Sequence, residues 1–311
     1  MDSQTPSFTF KQQILAAFLV FLGAIMFSTK AVMVKLAYRY EVDSISLLAL
    51  RMIFSLPLFL LIAQYDRRKQ QESRRALTSK DWIYTFGLGV MGYYLASLFD
   101  FIGLNYISAG MERLILFLYP TIVVLLSAIL FKEKIGRNKA GALLLTYAGV
   151  AIAFAQNVQQ GEDDNLWLGA GLILVSAFTY AIYLLGSGQF LPRLGTLRFT
   201  SLAMMGACVA VIAHHGIVQQ WQLFDFPAPV YYLSILMAIF ATVVPSFLIS
   251  EGIRLIGASN AAVIGSIGPI STIILAYIFL GESFGGWQWV GTFLVIGGVL
   301  MISLQKHRSK A

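Results

Sequence analysis

The chain has 311 residues, of which 58% are hydrophobic and only 12% are charged, and its mean hydropathy is +0.75. A water-soluble domain of this size could not carry that composition without a very large exposed apolar surface, so we interpret the chain as a membrane protein with several spans. The formal net charge of +7 does not indicate nucleic-acid binding, because the Lys and Arg residues lie between apolar stretches rather than along one face.

Apolar windows of about 20 residues predict ten transmembrane helices. The polar residues 1–13 are followed by an apolar run that is too long for the core of a signal peptide, so this run is predicted to be a retained first span. In chain order, the predicted spans cover residues 13–37, 44–64, 82–104, 109–131, 139–156, 167–187, 199–215, 230–250, 258–280 and 287–304. The fold class is therefore predicted to be that of an all-α polytopic membrane protein.

The loops between these spans differ in charge. Residues 65–80 contain six Lys or Arg residues, whereas residues 157–165 contain acids and no Lys or Arg. The positive-inside rule places basic loops in the cytoplasm, and with both termini there 17 of the 22 Lys and Arg residues are cytoplasmic, while Lys35 and Arg39 lie outside. We therefore predict a multi-pass protein of the cytoplasmic (inner) membrane with cytoplasmic N- and C-termini.

One segment of the sequence occurs twice. The stretch Gly103–Glu133 recurs without a gap 149 residues later as Gly252–Glu282, and in this register Pro120 matches Pro269. A repeat of about half the chain predicts two copies of one five-span unit. Because five is odd, the second copy must enter the membrane from the opposite side, and such inverted repeats are typical of transporters that work by alternating access. The two predicted units cover residues 1–156 and 157–311.

Each half combines a proline-bearing helix, a short turn that opens with Glu133 or Glu282, and a glycine-rich last helix. In these features the chain resembles the EamA-type members of the drug/metabolite transporter superfamily, and the resemblance covers nearly the whole chain. It implies a secondary carrier, often an exporter of amino acids or other small metabolites. It also implies a cavity between the two halves, with the fifth and tenth helices at the periphery, where they are candidates for a homodimer interface.

Five ionisable residues lie inside the predicted spans, at a similar depth from the outer boundary: Lys30, Arg51, Asp100, Glu112 and Arg113. Insertion scales assign about 2.5 to 3.5 kcal/mol to a charge at a helix centre, so we expect these side chains to face inward and to pair. The alternative is that they reach water as interfacial residues. Neighbours on a helix lie about 100° apart, so only one of Glu112 and Arg113 can face the cavity. We expect Arg113 to face it and Glu112 to contact a neighbouring helix.

The predicted substrate-binding residues combine these charges with polar groups of the second half. They are Lys30, Arg51, Asp100, Arg113, Tyr180, Tyr183, Ser246 and Asn260. For the hydroxyl and amide groups, the alternative is a structural role in joining neighbouring helices. The excess of one cation among the five embedded charges predicts a substrate with a carboxylate or similar anion, and Asp100 is a candidate for proton coupling.

Pro120 and Pro269 are the predicted gating residues. A proline removes a backbone donor, so these two are expected to leave the carbonyls of Leu116 and Gly265 unpaired in mid-membrane. Each site is interpreted either as a hinge or as a structural kink.

Other function classes find little support in the sequence. The single cysteine lies in an apolar run, and the three histidines, His214, His215 and His307, show no zinc spacing, so neither a metal site nor a cofactor is predicted. No nucleophile elbow or phosphate loop indicates a membrane enzyme, and no catalytic residue is predicted. A channel or facilitative pore remains the main alternative to a carrier. The predicted partners are a small-molecule substrate and the lipid bilayer, and the sequence does not identify the substrate.

Overall fold

The structure is a computed structural model that describes residues 10–69, 77–132, 135–159, 165–265 and 267–308. Within these ranges the chain is helical and contains no strand. The helices are α1 (Phe10–Tyr38), α2 (Ser44–Lys69), α3 (Ser79–Gly89), α4 (Ala96–Gly103), α5 (Ala109–Leu116), α6 (Tyr119–Phe131), α7 (Arg137–Gln159), α8 (Leu166–Leu194), α9 (Thr196–Val218), α10 (Ala228–Ala238), α11 (Val244–Gly265), α12 (Ile267–Leu280) and α13 (Gly286–Arg308).

The length and composition of these helices match a membrane protein. In the described part of the chain, eight helical stretches are long and apolar enough to cross a membrane, and Ile267–Leu280 and Gly286–Met301 are shorter apolar helices. Some spans consist of two helices, because the π-helical segments Val90–Leu95 and Ile239–Val243 join α3 to α4 and α10 to α11. The all-α membrane class predicted from the sequence is confirmed, whereas the count of ten spans stays a prediction.

Helices from the two predicted halves alternate around the interior. Helix α1 packs against α11 and α12, α2 packs against α9 and α10, and α8 packs against α4 and α6. Helix α9 also packs against α3, while α7 packs mainly against α13, which in turn contacts α11. The interior is therefore lined by both halves, with the ion-bearing helices α1, α2, α4 and α5 contributed by the first.

The contact between α7 and α13 is reciprocal. A Cβ atom added to Gly149 would lie 2.6 Å from the carbonyl oxygen of Gly291, and one added to Gly298 would lie 2.7 Å from that of Ala142. In the 149-residue register Gly149 matches Gly298 and Ala142 matches Gly291. Two such contacts are images of each other, which is the pattern that a two-fold relationship between the halves produces.

The same register relates two contacts between the halves. Gly103 of α4 packs against Gly169 of α8, and its match Gly252 of α11 packs against Val20 of α1. Gly169 and Val20 are themselves 149 residues apart. The first residues of the two π-helical segments are separated by the same interval. These repeated details support the proposed internal duplication.

The second half departs from this symmetry at the predicted turn between spans eight and nine. Residues 251–257 continue the helix α11, whereas in the first half α4 ends at Gly103 and α5 begins at Ala109. Ser108 caps α5 by accepting a hydrogen bond from the backbone N–H of Met111. The residue that matches Ser108 is a glycine, which has no capping side chain, so the second half lacks this stop signal. The predicted boundary between these two spans was therefore wrong.

Pro120 lies differently from the prediction. Helix α5 ends at Leu116, and Pro120 lies in the first turn of the separate helix α6. A proline in a first turn removes an N–H that has no partner within the helix in any case, so it costs little there. The expectation that Pro120 lies in the middle of a continuous helix was therefore wrong. The expectation for Pro269, whose helix α12 is described only from Ile267 onward, stays a prediction, and so does the gating role of both prolines.

The helix order defines two faces. We call the face where α2 ends and α3 and α9 begin the basic face, because Arg67, Arg68 and Arg198 lie there, and we call the opposite face, where α4 ends and α5 begins, the far face. In this arrangement the turns at Asn138 and Gly285 lie on opposite faces. The placement of the basic face in the cytoplasm is a prediction from the distribution of charge.

This topology predicts which engineered cysteines a membrane-impermeant thiol reagent reaches in whole cells. With Cys208 replaced by alanine, cysteines at Arg68 and Asn138 are expected to react only after the membrane is opened. Cysteines at Gly285 and at Asp163, which lies outside the described residues, are expected to react in intact cells. Labelling of Asn138 and Gly285 from the same side would contradict the inverted repeat, since these positions lie in matching turns.

Candidate functional site

A buried ion cluster joins three spans of the first half. The Nζ atom of Lys30 in α1 lies 2.6 Å from Oδ2 of Asp100 in α4 and 3.3 Å from Oε1 of Glu112 in α5. The side chains of Asp100 and Glu112 are 1% and 0% exposed, respectively. A charge buried this deeply is tolerated only with a partner, so Lys30 allows both acids to be buried.

The cluster is not fully satisfied. Oδ1 of Asp100 and Oε2 of Glu112 are buried, and neither has a hydrogen-bond partner in the described part of the chain. Two carboxyl groups therefore share one ammonium group and retain unused acceptor atoms.

Arg51 is held by neutral groups rather than by a carboxylate. Its Nη2 atom donates a hydrogen bond of 2.8 Å to Oγ of Ser97, and its guanidinium carbon lies 4.7 Å from the centre of the Phe101 ring. Both partners belong to α4, and the ring attracts the cation through its π face. The buried Nε of Arg51 has no partner among the described residues. Arg51 therefore keeps its positive charge next to the ion cluster.

Arg113 extends from the first half to the second. A Cβ atom added to Gly268 of α12 would lie 2.7 Å from Nη2 of Arg113, so the guanidinium group lies directly against this glycine. The carbonyl oxygen of Gly268 in turn accepts a hydrogen bond from Oγ of Ser28. The Nε atom of Arg113 is buried and lacks a partner in the described ranges. Glu112 and Arg113 thus face different neighbours, namely Lys30 and Gly268.

Four tyrosines form a continuous row beside these charges. Tyr180 and Tyr183 of α8 stack with their ring centres 5.8 Å apart. Tyr119 of α6 contacts Tyr180 edge-on at 5.2 Å, and Tyr93 contacts Tyr183 edge-on at 5.0 Å. We call Tyr119, Tyr180, Tyr183 and Tyr93 the aromatic row. It is built by both halves and offers ring faces and hydroxyl groups to the interior.

Two further predicted residues are Ser246 and Asn260. Ser246 is buried, and its Oγ donates to the carbonyl oxygen of Val243 within its own span, so its hydroxyl group is already used. The side chain of Asn260 lies outside the described residues. Sequence reasoning missed Tyr93 and Tyr119 as well as the role of Gly268. For the two tyrosines, a polar aromatic residue in the middle of a predicted span was the available signal.

Glu282 links the two halves at the far face. Its two carboxylate oxygens accept hydrogen bonds from the backbone N–H groups of Ala109 and Gly110, at 2.9 Å and 3.2 Å. These N–H groups belong to the first turn of α5, where a negative charge is favoured by the helix dipole. The ring of Phe284 packs on Gly110 at the same place. The turn after α12 therefore fastens the beginning of the helix that carries Glu112 and Arg113.

Replacement of Lys30 by methionine tests the ion cluster. The variant leaves two buried carboxyl groups without their cation, so we expect a loss of about 3–5 kcal/mol of stability, measured by thermal melting in detergent. Adding Asp100→Asn and Glu112→Gln to the same variant should recover most of this loss. The control Arg254→Gln removes a surface pair with Glu251 and should cost no more than about 1 kcal/mol. Unchanged melting of Lys30→Met would contradict the stabilising role.

Comparison with known proteins gives the family. The sequence pattern of the EamA-like transporter family matches residues 14–155 and again residues 167–304. The chain is 32% identical over 285 residues to the uncharacterized transporter YcbK of Bacillus subtilis, covering 89% of this chain and 90% of that protein. It is 27% identical over 318 aligned residues to the uncharacterized transporter sll1319 of Synechocystis, covering 93% of each.

The fold has a counterpart among solved structures. One crystal structure superposes with a TM-score of 0.67 over 95% of this chain and 99% of the other, at 16% sequence identity. At that identity the likeness concerns the fold alone. The family pattern, by contrast, matches most of the sequence in two stretches and agrees with the apolar helices of the structure. The chain is therefore a multi-pass membrane transporter that belongs to the EamA-like transporter family.

Proposed function

We propose that this chain is a secondary active transporter that exports a small polar metabolite with a carboxylate or similar anionic group, such as an amino acid or organic anion. Its mechanism would be alternating access across the cytoplasmic membrane. Membership of the transporter family supports the class, and the names of its relatives specify no substrate. The proposed substrate class therefore depends on the charges and contacts of the site.

The observation that carries the proposal is the position of Arg113. Lys30 is occupied by two carboxyl groups, and Arg51 is held by Ser97 and Phe101, whereas the guanidinium group of Arg113 lies against Gly268, where no side chain intervenes. A guanidinium group presents paired donors that match a carboxylate. Because α5 and α12 belong to different halves, an anion bound there would contact both of them.

The aromatic row supplies the second part of the proposed binding site. Tyr180 lies between Tyr119 and Tyr183, and its ring contacts both. Tyrosine rings provide an apolar surface with a hydroxyl group at the end, which suits a solute with both apolar and polar parts. We therefore place the anionic end of the substrate at Arg113 and the rest of it along the aromatic row.

Alternating access requires contacts that form on one face and break on the other. Glu282 fastens α5 to the second half at the far face in the described conformation. We propose that this contact is the far-side gate and that it breaks when the transporter opens to that face. Since α5 also carries Glu112 and Arg113, its movement would change the ion cluster and the proposed anion site together.

Proton coupling is proposed at the ion cluster. Asp100 and Glu112 share the single ammonium group of Lys30, with the guanidinium groups of Arg51 and Arg113 nearby, so one proton on the carboxyl pair would leave it with a single negative charge opposite Lys30. Burial changes the free-energy difference between the protonated and the fully ionised pair, so this difference changes when the helices around the pair move. Proton entry could thereby drive export of the substrate.

The anion site predicts the effect of Arg113→Gln. Loss of a charge-assisted hydrogen bond of about 1.5–3 kcal/mol should weaken anionic substrates by roughly 10- to 150-fold. The measurement is saturable counterflow in proteoliposomes, screened with labelled amino acids and organic acids. Gly268→Ala, which displaces the guanidinium group, should show a smaller loss, and the surface control Arg254→Gln none. Transport of cationic solutes only, undiminished by Arg113→Gln, would refute the anion site, and linear uptake without counterflow would indicate a pore.

The gate predicts that Glu282→Gln opens the far face more often, because the neutral amide holds the N–H groups of α5 less strongly. A reporter cysteine at Ser97, in a Cys208→Ala background, should then react faster with a thiol reagent added from the far face. The control Glu251→Gln removes an acid at the basic face and should leave the rate unchanged. Equal rates in the parent and in Glu282→Gln would show that the contact does not control access.

The coupling proposal predicts a pH dependence of transport. In proteoliposomes with an imposed pH gradient, movement of substrate against the flow of protons should increase with the gradient. Asp100→Asn and Glu112→Gln should each abolish this response but preserve counterflow, while Glu41→Gln, an exposed acid at the far face, should behave like the parent. A parent protein that is indifferent to the gradient would exclude proton coupling.

A further inference from the structure

A groove of about 860 Å³ lies at the basic face between α2, α3 and α9. Helices α2 and α3 both pack on α9, which forms the floor of the groove. The floor is apolar and includes Leu202 and Met205, whereas the mouth includes Arg67, Arg68, Arg198 and Trp82. The groove is thus amphipathic, with a cationic end and an apolar end.

The contacts of α9 show that the groove opens away from the interior. Cys208 faces Met52 of α2, and Gly206 faces Phe86 of α3. Thr200 hydrogen-bonds to Ser250 of α11, so the side of α9 that carries Thr200 faces the interior. At 100° per residue, Leu202 and Met205 lie on the opposite side of the helix from Thr200. In a membrane that side faces the bilayer.

The described residues that line the groove carry charge of one sign. They include three arginines and no Asp or Glu. Arg67 and Arg68 are exposed at the end of α2, and Trp82 near the start of α3 is 41% exposed. Tryptophan is typical of the membrane–water interface, which places the mouth at the depth of the lipid headgroups. Basic pockets at this depth, between membrane helices, attract anionic headgroups.

We propose that this groove binds an anionic glycerophospholipid. The phosphate group would be held by Arg67 and Arg68, with Arg198 contributing to the positive potential, and an acyl chain would lie along Leu202 and Met205. A lipid fits better than a soluble anion because the groove opens to the bilayer and continues as an apolar surface. None of the residues that line the groove belongs to the proposed substrate site, which consists of Arg113 and the aromatic row.

The occupied groove would also connect the two halves. Helices α2 and α3 belong to the first half and α9 to the second. A lipid that contacts all three would favour whichever conformation keeps this groove intact. The proposed lipid is therefore expected to stabilise the protein as well as to bind it.

The test measures thermal melting and native mass spectra of the purified full chain with phosphatidylglycerol or phosphatidylcholine of identical acyl chains. We expect retention and stabilisation with phosphatidylglycerol only. Arg67→Gln combined with Arg68→Gln should weaken the apparent affinity about 30-fold, since each basic residue near an anionic lipid surface contributes a factor of about five. The matched control Arg137→Gln with Lys139→Gln removes the same charge at the basic face outside the groove and should have no effect.

A second variant separates a lipid site from general attraction to charge. Met205→Trp fills the floor of the groove and retains the arginines, so it should reduce retention of phosphatidylglycerol, and free glycerol 3-phosphate should not stabilise the parent. The proposal is overturned if both lipids behave alike or if the two charge-removing variants weaken binding equally. It is also overturned if glycerol 3-phosphate alone stabilises the parent, or if Met205→Trp retains the lipid as the parent does. Because Met205→Trp leaves the charges untouched, it remains decisive if the double arginine variant does not fold.

Discussion

The sharing of one buried ammonium group by two carboxyl groups is the constraint on which the rest of the structure depends. Lys30 brings Asp100 and Glu112 together from α1, α4 and α5. Removing the ammonium group would leave two carboxylates in a medium that cannot solvate them, which is far more costly than losing a surface ion pair. The three helices are therefore held in one arrangement, and that arrangement in turn sets where Arg113 can reach. The same cluster keeps two buried acceptor atoms without partners among the described residues, and this is the observation behind the proposed proton coupling.

The scaffold around this cluster is repeated, but the chemistry is not. The reciprocal contacts of Gly149 and Gly298 follow the 149-residue register, and so do the two π-helical segments. The positions that match Glu112 and Arg113 are alanines. The second half instead contributes Gly268, which leaves space for the guanidinium group, and two of the four tyrosines of the aromatic row, Tyr180 and Tyr183. With the charges in one half, the proposed substrate site has a cationic end and an aromatic end, which suits an asymmetric solute.

Helix α5 connects the parts of the proposed mechanism. Its first turn is held by Glu282, its middle carries Glu112 and Arg113, and it ends before Pro120 begins the next helix. At residues 117–118 the helical pattern changes, since the N–H of Leu118 donates to the carbonyl oxygen of Ile115, and this separates α5 from α6. The proposed gate, the proposed anion site and the ion cluster all include contacts of α5, so a movement of α5 would affect all three. The lipid groove lies outside this element, on the bilayer side of α9.

The sequence by itself determined the membrane class, the approximate spans and the 149-residue register, because apolar length and matched residues are local properties that do not depend on packing. It also identified the five embedded charges, since a charge within an apolar span is visible without a structure. Only the tertiary structure decided which of them pair, since Lys30, Asp100 and Glu112 are far apart in the chain and meet through helix packing. It also decided the continuous path of α11. In the first half Ser108 caps the start of α5, whereas the matching residue of the second half is a glycine, which has no side chain to cap a helix. The position of Arg113 against Gly268 depends on contact between the two halves, which no local pattern records.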